Sequence, residues 1–570
     1  MKFIQSRKTA LTIIAVAIVY SLLAFVVLPA ESFFAGDEGV KFIQAQSLLK
    51  YHYKSLFLSY PGQDVDPQNK FFPIAAPYAV EKGGRMYSQW PVLFPLISSL
   101  FFSVFGPPGL YVIPVLSSLL TLFVLSKMFR LLFDRDSILI LLLLAFGTPV
   151  FFYSLVFWEH TLSVLLATVA VYLVLLSLKT PGYGRMLIAG LLLGLGIWVR
   201  NELYFFVLAL LISGFVTRSM WKGKTIFPSA VYFLAGLFLV LVPMWVIQKA
   251  TVGEMLGADV SQFIKAGVST EASPFKANIL YFFLYKIKLA AVLLFHRFDS
   301  EWMIALALPY IVFAWVMIFP KQKERRSLLI FSLAGMAAVS LFTLSQNLLN
   351  SGLLVNTPFL IFSLVALSVY QELKESGGMI LFVLLTGLVY ILLISLFAPA
   401  TGGMQWGPRF MLPALPLLLV ALGALWDNWE KLEFGGMNRR LAKTTLILLI
   451  LVSLFIQIKG VQFLYGDREE GARLVAKVKD RPEIVFVTNN FWFPQETAAV
   501  YGDKKFYFVS ERTDFEILAA RLQKRRVRRF AFVTLSEPSY LGVTDPFVGF
   551  VRKERVRLPG SFWLESFKAK

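Results

Sequence analysis

The sequence predicts a polytopic α-helical membrane protein with a small α/β domain towards its C-terminal end. Three observations predict it. Of the 570 residues, 57% are hydrophobic and only 16% charged, with a mean hydropathy of +0.68; soluble domains carry about 25% charge and 45–50% apolar residues. Apolar runs able to cross a ~30 Å hydrocarbon core recur along the first 459 residues. After Lys459 short β-rich runs alternate with helical ones, the pattern of an α/β layer.

The elements follow in order. Lys2, Arg7 and Lys8 precede an apolar run from about Leu11 to Pro29. It is too long for a signal h-region and no small-residue cleavage site follows, so it reads as a retained first span with its N-terminus inside. The polar stretch from Glu31 to about Trp90 lies outside. Pro91 to Phe105 is apolar but short, bounded by prolines and Gly106-Pro107-Pro108-Gly109. Taken as an interfacial helix, it lets the next run, about Leu110 to Ser126, deliver Lys127, Arg130 and Arg135 to the cytoplasm. Every later basic loop then falls inside as well; a spanning Pro91–Phe105 would invert them all.

Further spans are expected at about 136–156, 161–178, 187–200, 203–216, 227–248, 302–319, 327–346, 353–370, 377–398, 410–426 and 443–459. That makes roughly thirteen, with the C-terminus outside. The division is therefore a spanning part, residues 1–459, with an outer loop at 30–109, and an outer α/β domain, residues 460–570. In the latter, Glu483–Val487, Lys505–Val509 and Arg529–Leu535 read as strands. Arg473–Val478, Glu496–Tyr501 and Phe515–Gln523 read as helices.

Composition excludes several functions. Cysteine is absent, which removes disulfides, thiolate metal sites and cysteine nucleophiles. Three histidines, His52, His160 and His296, leave little for a His-rich metal centre. The net charge of +20 fits cytoplasmic loops and anionic lipid headgroups. No nucleic-acid-binding motif accompanies it.

Polar groups near membrane level are the informative ones, because burying them is expensive. Asp37 and Glu38 follow the first span. Adjacent acids after a permissive glycine can supply a general base or a divalent-cation ligand; the plainer alternative is that Asp37 caps a helix from Glu38 to Lys50. Glu159 and His160 sit between two spans, as a proton relay, a substrate contact or a self-satisfied helix start. Arg200 beside Glu202 is a substrate cation or an ion pair that cancels itself. Arg297, Asp299 and Glu301 close a long outer loop that starts near Ala250. Arg409 stands at the mouth of a later span, where a guanidinium can hold a lipid-linked phosphate bidentately or snorkel to a headgroup. Lys524-Arg525-Arg526-Val527-Arg528-Arg529 is a solvated face or a contact for an anionic partner.

Four pieces, in order, resemble the GT-C glycosyltransferases, the class that includes protein O-mannosyltransferases and the lipid A aminoarabinose transferases. Gly36-Asp37-Glu38 stands where that class carries its acidic motif after span one. Tyr87-Ser88-Gln89-Trp90-Pro91 through Phe105-Gly106 is similar to its proline-led juxtamembrane helix. Phe157-Trp158-Glu159-His160 takes the place of its second acidic loop motif, and Trp406-Gly407-Pro408-Arg409-Phe410 resembles a signature of bacterial members. The chain departs at Gln89-Trp90, where the aminoarabinose transferases carry an acid and a lysine, so the phosphate role falls to Arg409, Arg200 or Arg297.

The resemblance implies an inverting hexosyl- or pentosyltransferase that takes a sugar from a polyprenyl-phosphate donor. The acceptor is a lipid, polysaccharide or protein of the cell envelope, and transfer occurs at the outer face of the cell (inner or plasma) membrane. It implies Asp37, Glu38 and Glu159 as catalytic residues. His160, Arg200, Glu202, Tyr87, Gln89, Trp90, Arg297, Trp406 and Arg409 are then substrate-binding. Some members of the class use a divalent cation, which leaves magnesium or manganese on Asp37 and Glu38 open. A transporter or flippase of lipid-linked saccharides is the rival reading; it favours charges at mid-membrane on broken helices in two similar halves. A non-catalytic scaffold presenting the outer domain is the third.

Overall fold

The computed structural model describes residues 2–218, 226–257, 279–295, 305–319, 325–368, 377–398, 402–427, 429, 439–535 and 549–570. Helix α1 (Lys2–Leu22) continues into a π-helical turn, Leu23–Val27. Leu11, Ile14, Ile18 and Val26 are exposed along it, as a lipid-facing surface requires. Helix α2 (Gly36–Lys50), the hairpin β1 (Ala79–Lys82) and β2 (Arg85–Ser88), and helix α3 (Leu93–Phe105) fill the loop after it. Gly83 and Gly84 take positive φ at both centres of the hairpin turn, the geometry that a two-residue hairpin loop needs. At 13 residues, α3 is about 20 Å long, short of the hydrocarbon thickness.

The helices that follow are α4 (Val112–Phe133), α5 (Ile138–Phe146), α6 (Val150–Tyr153), α7 (His160–Lys179), α8 (Tyr183–Val199), α9 (Leu203–Val216) and α10 (Ile226–Thr251). After them come α11 (Ile279–Leu294), α12 (Leu308–Ile318), α13 (Arg325–Thr343), α14 (Leu353–Asn356), α15 (Val365–Ser368), α16 (Gly377–Phe397), α17 (Leu415–Asp427) and α18 (Arg439–Lys479). Among the described residues, eight helices are long and apolar enough to cross a membrane, and five shorter apolar ones accompany them. This is a multi-pass helical membrane protein.

Several elements differ from the sequence expectation, mostly at prolines. The run 136–156 divides into α5 and α6 around Gly147-Thr148-Pro149, because proline lacks the N–H a continuous helix needs. The run 353–370 breaks at Thr357-Pro358 into α14, a 3-10 turn (Pro358–Leu364) and α15. The span expected from 410 starts as a 3-10 turn, Arg409–Ala414, with Pro413 inside it. The long loop after Ala250 contains the apolar helix α11, which packs on α16. Helix α18 runs unbroken for 41 residues, straight through the boundary expected at 459/460. Gly460 does not end it; a Cβ there would sit 2.5 Å from the Trp406 indole, so the glycine permits close packing.

The α/β part comprises β3 (Val485–Thr488), α19 (Phe493–Glu496), β4 (Lys505–Phe508), α20 (Arg512–Lys524), β5 (Arg529–Thr534), β6 (Phe550–Arg557) and β7 (Trp563–Ala569). The sheet order is β4-β3-β5-β7-β6. Strands β3, β4 and β5 are parallel, with Val485 opposite Lys505 and Phe530; β7 is antiparallel to both β5 and β6. Phe486, Phe506, Phe530 and Phe567 are buried in its core.

The chain forms two compact units. One holds Met1–Ser21, Ile113–Pro243 and Lys265–Gln462; the other holds Leu22–Val112, Met244–Ile264 and Phe463–Lys570. The second unit thus joins the loop after α1 to the α/β sheet. Tyr507 donates its hydroxyl to the Gly62 carbonyl at 3.1 Å, Tyr501 donates to Ser59 at 3.1 Å, and the Phe508 N–H donates to Phe71 at 3.0 Å.

Candidate functional site

Asp37 and Glu38 lie in the second unit, on the first turn of α2. Ala35 is the extended residue that caps this helix, so Asp37 is its second residue and not its cap. The dipole still favours both acids there. The flanking glycines have a steric cause. A Cβ on Gly39 would fall 1.9 Å from the Gln495 carbonyl oxygen, and one on Gly36 would fall 2.1 Å from Gln495 Oε1. Helix α2 is therefore pressed against α19, and only glycine fits at the contact.

The two acids meet different surroundings. Glu38 is 1% exposed, and its Oε1 has no hydrogen-bond partner. Burial, aided by the charge of Asp37, pushes its pKa up to about 8, against the opposite pull of Arg468, Lys41 and the Phe34 backbone. Asp37 is partly exposed and faces the ammonium of Lys41 at 3.9 Å. Lys41 is 1% exposed, four residues on along the helix, and lies 5.1 Å from the centroid of the Trp90 ring, within cation–π range. Tyr87 sits on β2 opposite Val80, and the Gln89 N–H donates to the Tyr78 carbonyl at 3.2 Å. The unit thus gathers Asp37, Glu38 and Trp90 about Lys41, with Tyr87 and Gln89 on the strand leading to Trp90.

Sequence reasoning missed three residues here: Lys41, Arg468 and Gln495. Arg468 is fully buried, its guanidinium 4.3 Å from the Tyr111 centroid and hydrogen-bonded to the Pro29 carbonyl. Its own carbonyl accepts from Ser32 Oγ at 2.6 Å. Gln495 is fully buried with both amide atoms unpartnered. Nothing local in the sequence distinguishes these from solvated side chains. Nearby, Glu470 Oε1 accepts the Gly560 N–H at 2.9 Å. Burial and then Glu470 push Asp467 up to about 7; burial, then Asp467 and Glu470, push Glu496 up to about 7.

The remaining described candidates lie in the first unit. Glu159 is the residue before α7, Arg200 follows α8, and Glu202 precedes α9. Arg200 Nη1 donates to Glu159 Oε1 at 2.8 Å and its Nε to Glu202 Oε2 at 3.0 Å, with a second bond from Nη2 to Glu202. One cation is held between two carboxylates, so Arg200 is charge-compensated in place. The His160 ring lies edge-on to Tyr153 and Trp158, with centroids at 5.1 and 5.4 Å. Arg409 lies 5.3 Å from the Trp158 centroid and 5.2 Å from that of Phe410, whose ring also faces Arg200 at 5.9 Å. Trp406 stacks on Phe152; Gly407 after it takes φ +70, which turns the chain into Arg409. Glu159, His160, Arg200, Glu202 and Arg409 thus surround Trp158 and Phe410. Arg297 lies outside the described residues, as do Asp299 and Glu301.

Among the described residues no group of three or more His, Asp or Glu is arranged to hold a metal ion, and the cation beside Asp37 is the Lys41 ammonium.

Residues 89–247 match a family model described as dolichyl-phosphate-mannose-protein mannosyltransferase. The ArnT structure from Cupriavidus metallidurans in the apo state is 13% identical, with a TM-score of 0.52, covering 99% of this chain and 98% of that one. The chain shares the fold of that ArnT structure. A second ArnT structure from the same organism, bound to undecaprenyl phosphate, is 12% identical with a TM-score of 0.50 and covers 98% and 97% of the two chains. The Archaeoglobus fulgidus oligosaccharyltransferase in the apo form is 12% identical with a TM-score of 0.48, covering 93% and 70%. No curated protein matches the chain. The matched family segment contains Glu159, His160, Arg200 and Glu202; Asp37 and Arg409 lie outside it.

Proposed function

We propose that the chain is a membrane glycosyltransferase that moves a sugar from a polyprenyl-phosphate donor to an envelope acceptor at the outer face, with inversion. The match of residues 89–247 to a dolichyl-phosphate-mannose-dependent family supports the donor class, as does the likeness to an ArnT structure bound to undecaprenyl phosphate. The observation that carries the reading is the first turn of α2. Asp37 is partly open to its surroundings, faces a buried ammonium, and rides on a helix fixed by close glycine contacts.

In this reading the acceptor hydroxyl gives its proton to the Asp37 carboxylate while its oxygen bonds to the anomeric carbon. The bond from that carbon to the phosphate oxygen breaks, and its electron pair leaves on the phosphate. A single base suffices for inversion, without a covalent sugar–enzyme intermediate. A guanidinium that meets the growing phosphate charge stabilises the transition state more than the ground state. Arg409, at the entry to its helix and 5.3 Å from the Trp158 centroid, is our candidate. Residues 1–459 carry donor and base, and residues 460–570 choose the acceptor; the N-terminus is cytoplasmic and the α/β domain outside.

The test is transfer of radiolabelled sugar from polyprenyl-phosphate donors by the purified protein, with and without chelator. The Asp37→Asn variant is expected to lose roughly 10²–10⁴-fold in rate while still binding donor. Undiminished turnover in a folded variant sinks Asp37 as the base and moves that role to Glu38 or Glu159.

A further inference from the structure

A cavity of about 100 Å³ lies inside the second unit. Its walls come from segments distant in sequence: the loop after α1, helices α2 and α3, the end of α18 and the turn before β4. Phe33, Phe42 and Phe102 form its apolar part, with ring centroids 5.3 Å apart for Phe33 and Phe42 and 5.1 Å apart for Phe42 and Phe102. Phe33 and Phe42 are buried. Glu31, Gln46, Lys479 and Asp503 supply the polar part; Gln46 is half-buried and the others are exposed. The cavity thus has an aromatic floor and a polar mouth. Among the described residues none of these four polar side chains is engaged in a hydrogen bond or an ion pair.

The same unit shows what borders the cavity. Phe25, Val26 and Val27 are exposed at the π-helical turn, shortly before Glu31. That turn packs on the 3-10 turn Pro107–Tyr111, which gives Pro107 and Leu110 to the wall. Leu100, Val104 and Phe105 are exposed on α3, to either side of Phe102 in sequence. Apolar side chains exposed beside the end of a span face lipid. The charge of the lining then selects among amphiphiles. Two carboxylates against one ammonium turn away a purely anionic head, that of a lipid-linked phosphate donor included. Aromatic faces and carboxylates attract a cation, and the Lys479 ammonium attracts a phosphate. A primary ammonium donates through each of its N–H groups, and Glu31, Asp503 and Gln46 Oε1 are acceptors for them. One water needs about 10–15 Å³, so the cavity takes roughly seven to ten such groups, and a phosphoethanolamine head has about eight non-hydrogen atoms.

We propose that this cavity binds the head of a zwitterionic phospholipid, one that carries a primary ammonium on its phosphate. The ammonium enters between the rings and the carboxylates, the phosphate lies towards Lys479, and the acyl chains follow the exposed apolar residues of α3. An anionic head lacks the cation, a choline head lacks the N–H donors, and a neutral sugar lacks both charges. The site is separate from Asp37. Phe42 and Gln46 stand at i+4 and i+8 from Glu38, on its face of α2, and Asp37 is turned away from that face. The binding therefore does not depend on the function proposed above.

The experiment titrates the full chain in detergent with dioleoyl phosphatidylethanolamine, phosphatidylcholine and phosphatidylglycerol, radiolabelled in the acyl chains. The ethanolamine lipid is expected to bind on the order of tenfold more tightly than the glycerol lipid, with the choline lipid between them. Glu31→Gln/Asp503→Asn should bring the glycerol lipid level with the ethanolamine lipid, whereas Lys479→Gln should weaken all three. The controls, Glu469→Gln/Glu511→Gln and Lys477→Gln, remove the same charges from exposed positions that do not line the cavity, and should bind as the native protein does. Water-soluble phosphoethanolamine should displace the bound lipid, and glucose should not. All substituted side chains are exposed, so the unfolding temperatures without lipid should match, which separates lost binding from lost fold. Equal binding of the three lipids by the native protein, or a preference for the glycerol lipid, overturns the proposal. So does a preference that survives the acid variant or is lost equally in its control, or native binding by Lys479→Gln. Displacement by glucose and not by phosphoethanolamine also overturns it, because the cavity then belongs to a sugar. No arm requires turnover, so the outcome stands apart from the transfer reaction.

Discussion

The two units treat buried charge in opposite ways. In the first, Arg200 is gripped by Glu159 and Glu202 at hydrogen-bond distance, and the cluster is complete. In the second, Glu38 is buried with an unpartnered oxygen, and Asp37 meets Lys41 only at the outer limit of an ion pair, 3.9 Å. A buried pair with good geometry fixes structure and leaves little chemistry to be done. A buried carboxyl with an unpartnered oxygen, as at Glu38, stores unfavourable solvation that a proton relieves. On the function proposed above, this difference is why the first turn of α2 is our choice for the reacting acid.

The largest expected effect tests the complete cluster. Arg200→Met leaves Glu159, which is nearly inaccessible, beside a second uncompensated carboxylate. The loss of stability should be about 3–5 kcal/mol, seen as a lower unfolding temperature in detergent. Adding Glu159→Gln should recover part of that loss, since the two residues are directly coupled. A double variant no better than the single one would mean that Glu159 does not depend on Arg200, and the contrast between the units would collapse.

A smaller effect tests the frame that holds Asp37 and Glu38. Gly39→Ala places a methyl 1.9 Å from a backbone oxygen of Gln495, so α2 or α19 must move. We expect about 1–3 kcal/mol of destabilisation and slower transfer, because Asp37 and Glu38 move with the helix. Gly466→Ala, mid-helix in α18 with nothing near its added Cβ, should instead stabilise by up to about 1 kcal/mol. The same sign for both would show that helix propensity, and not the contact with Gln495, governs Gly39.

How much of this is legible from sequence follows from what each feature depends on. Apolar runs and the β3–β5 alternation are local, so the fold class and three strands could be read. Strand β6 (FVRKERVR) is mostly exposed, and its charges hide the alternation; β7 pairs with it and with β5, contacts that a local pattern does not show. The break at Pro149 was present in the sequence but outweighed by the apolar run around it. Among the site candidates, Asp37, Glu159 and Arg409 announce themselves as polar groups beside apolar spans. Lys41 reads as an ordinary solvated helix lysine, and Arg468 as part of a polar helix end. Their burial comes from Trp90 and Tyr111, and from chain more than four hundred residues away in the case of Arg468 and Pro29. Tertiary burial of that kind leaves no local trace.

The most gradual effect is a change with pH. The folded pKa of Glu38 lies near 8, above its value in the unfolded chain. Between the ordinary carboxylate range and pH 8 the folded state therefore keeps a proton that the unfolded state has released, and stability falls as the pH rises through that window. Asp467 and Glu496, both raised to about 7, add to the fall in the native protein. Glu38→Gln preserves the shape and cannot ionise. Its stability should equal that of the native chain near pH 4, where both side chains are neutral, and exceed it progressively towards pH 9, by on the order of a few kcal/mol. Taking the difference between the two proteins at each pH cancels Asp467 and Glu496 and isolates Glu38. A flat difference would mean that Arg468 and Lys41 keep the Glu38 carboxylate ionised in the fold. The second unit would then hold a satisfied charge cluster like the first, and Asp37 would lose the protonated neighbour that distinguishes its surroundings.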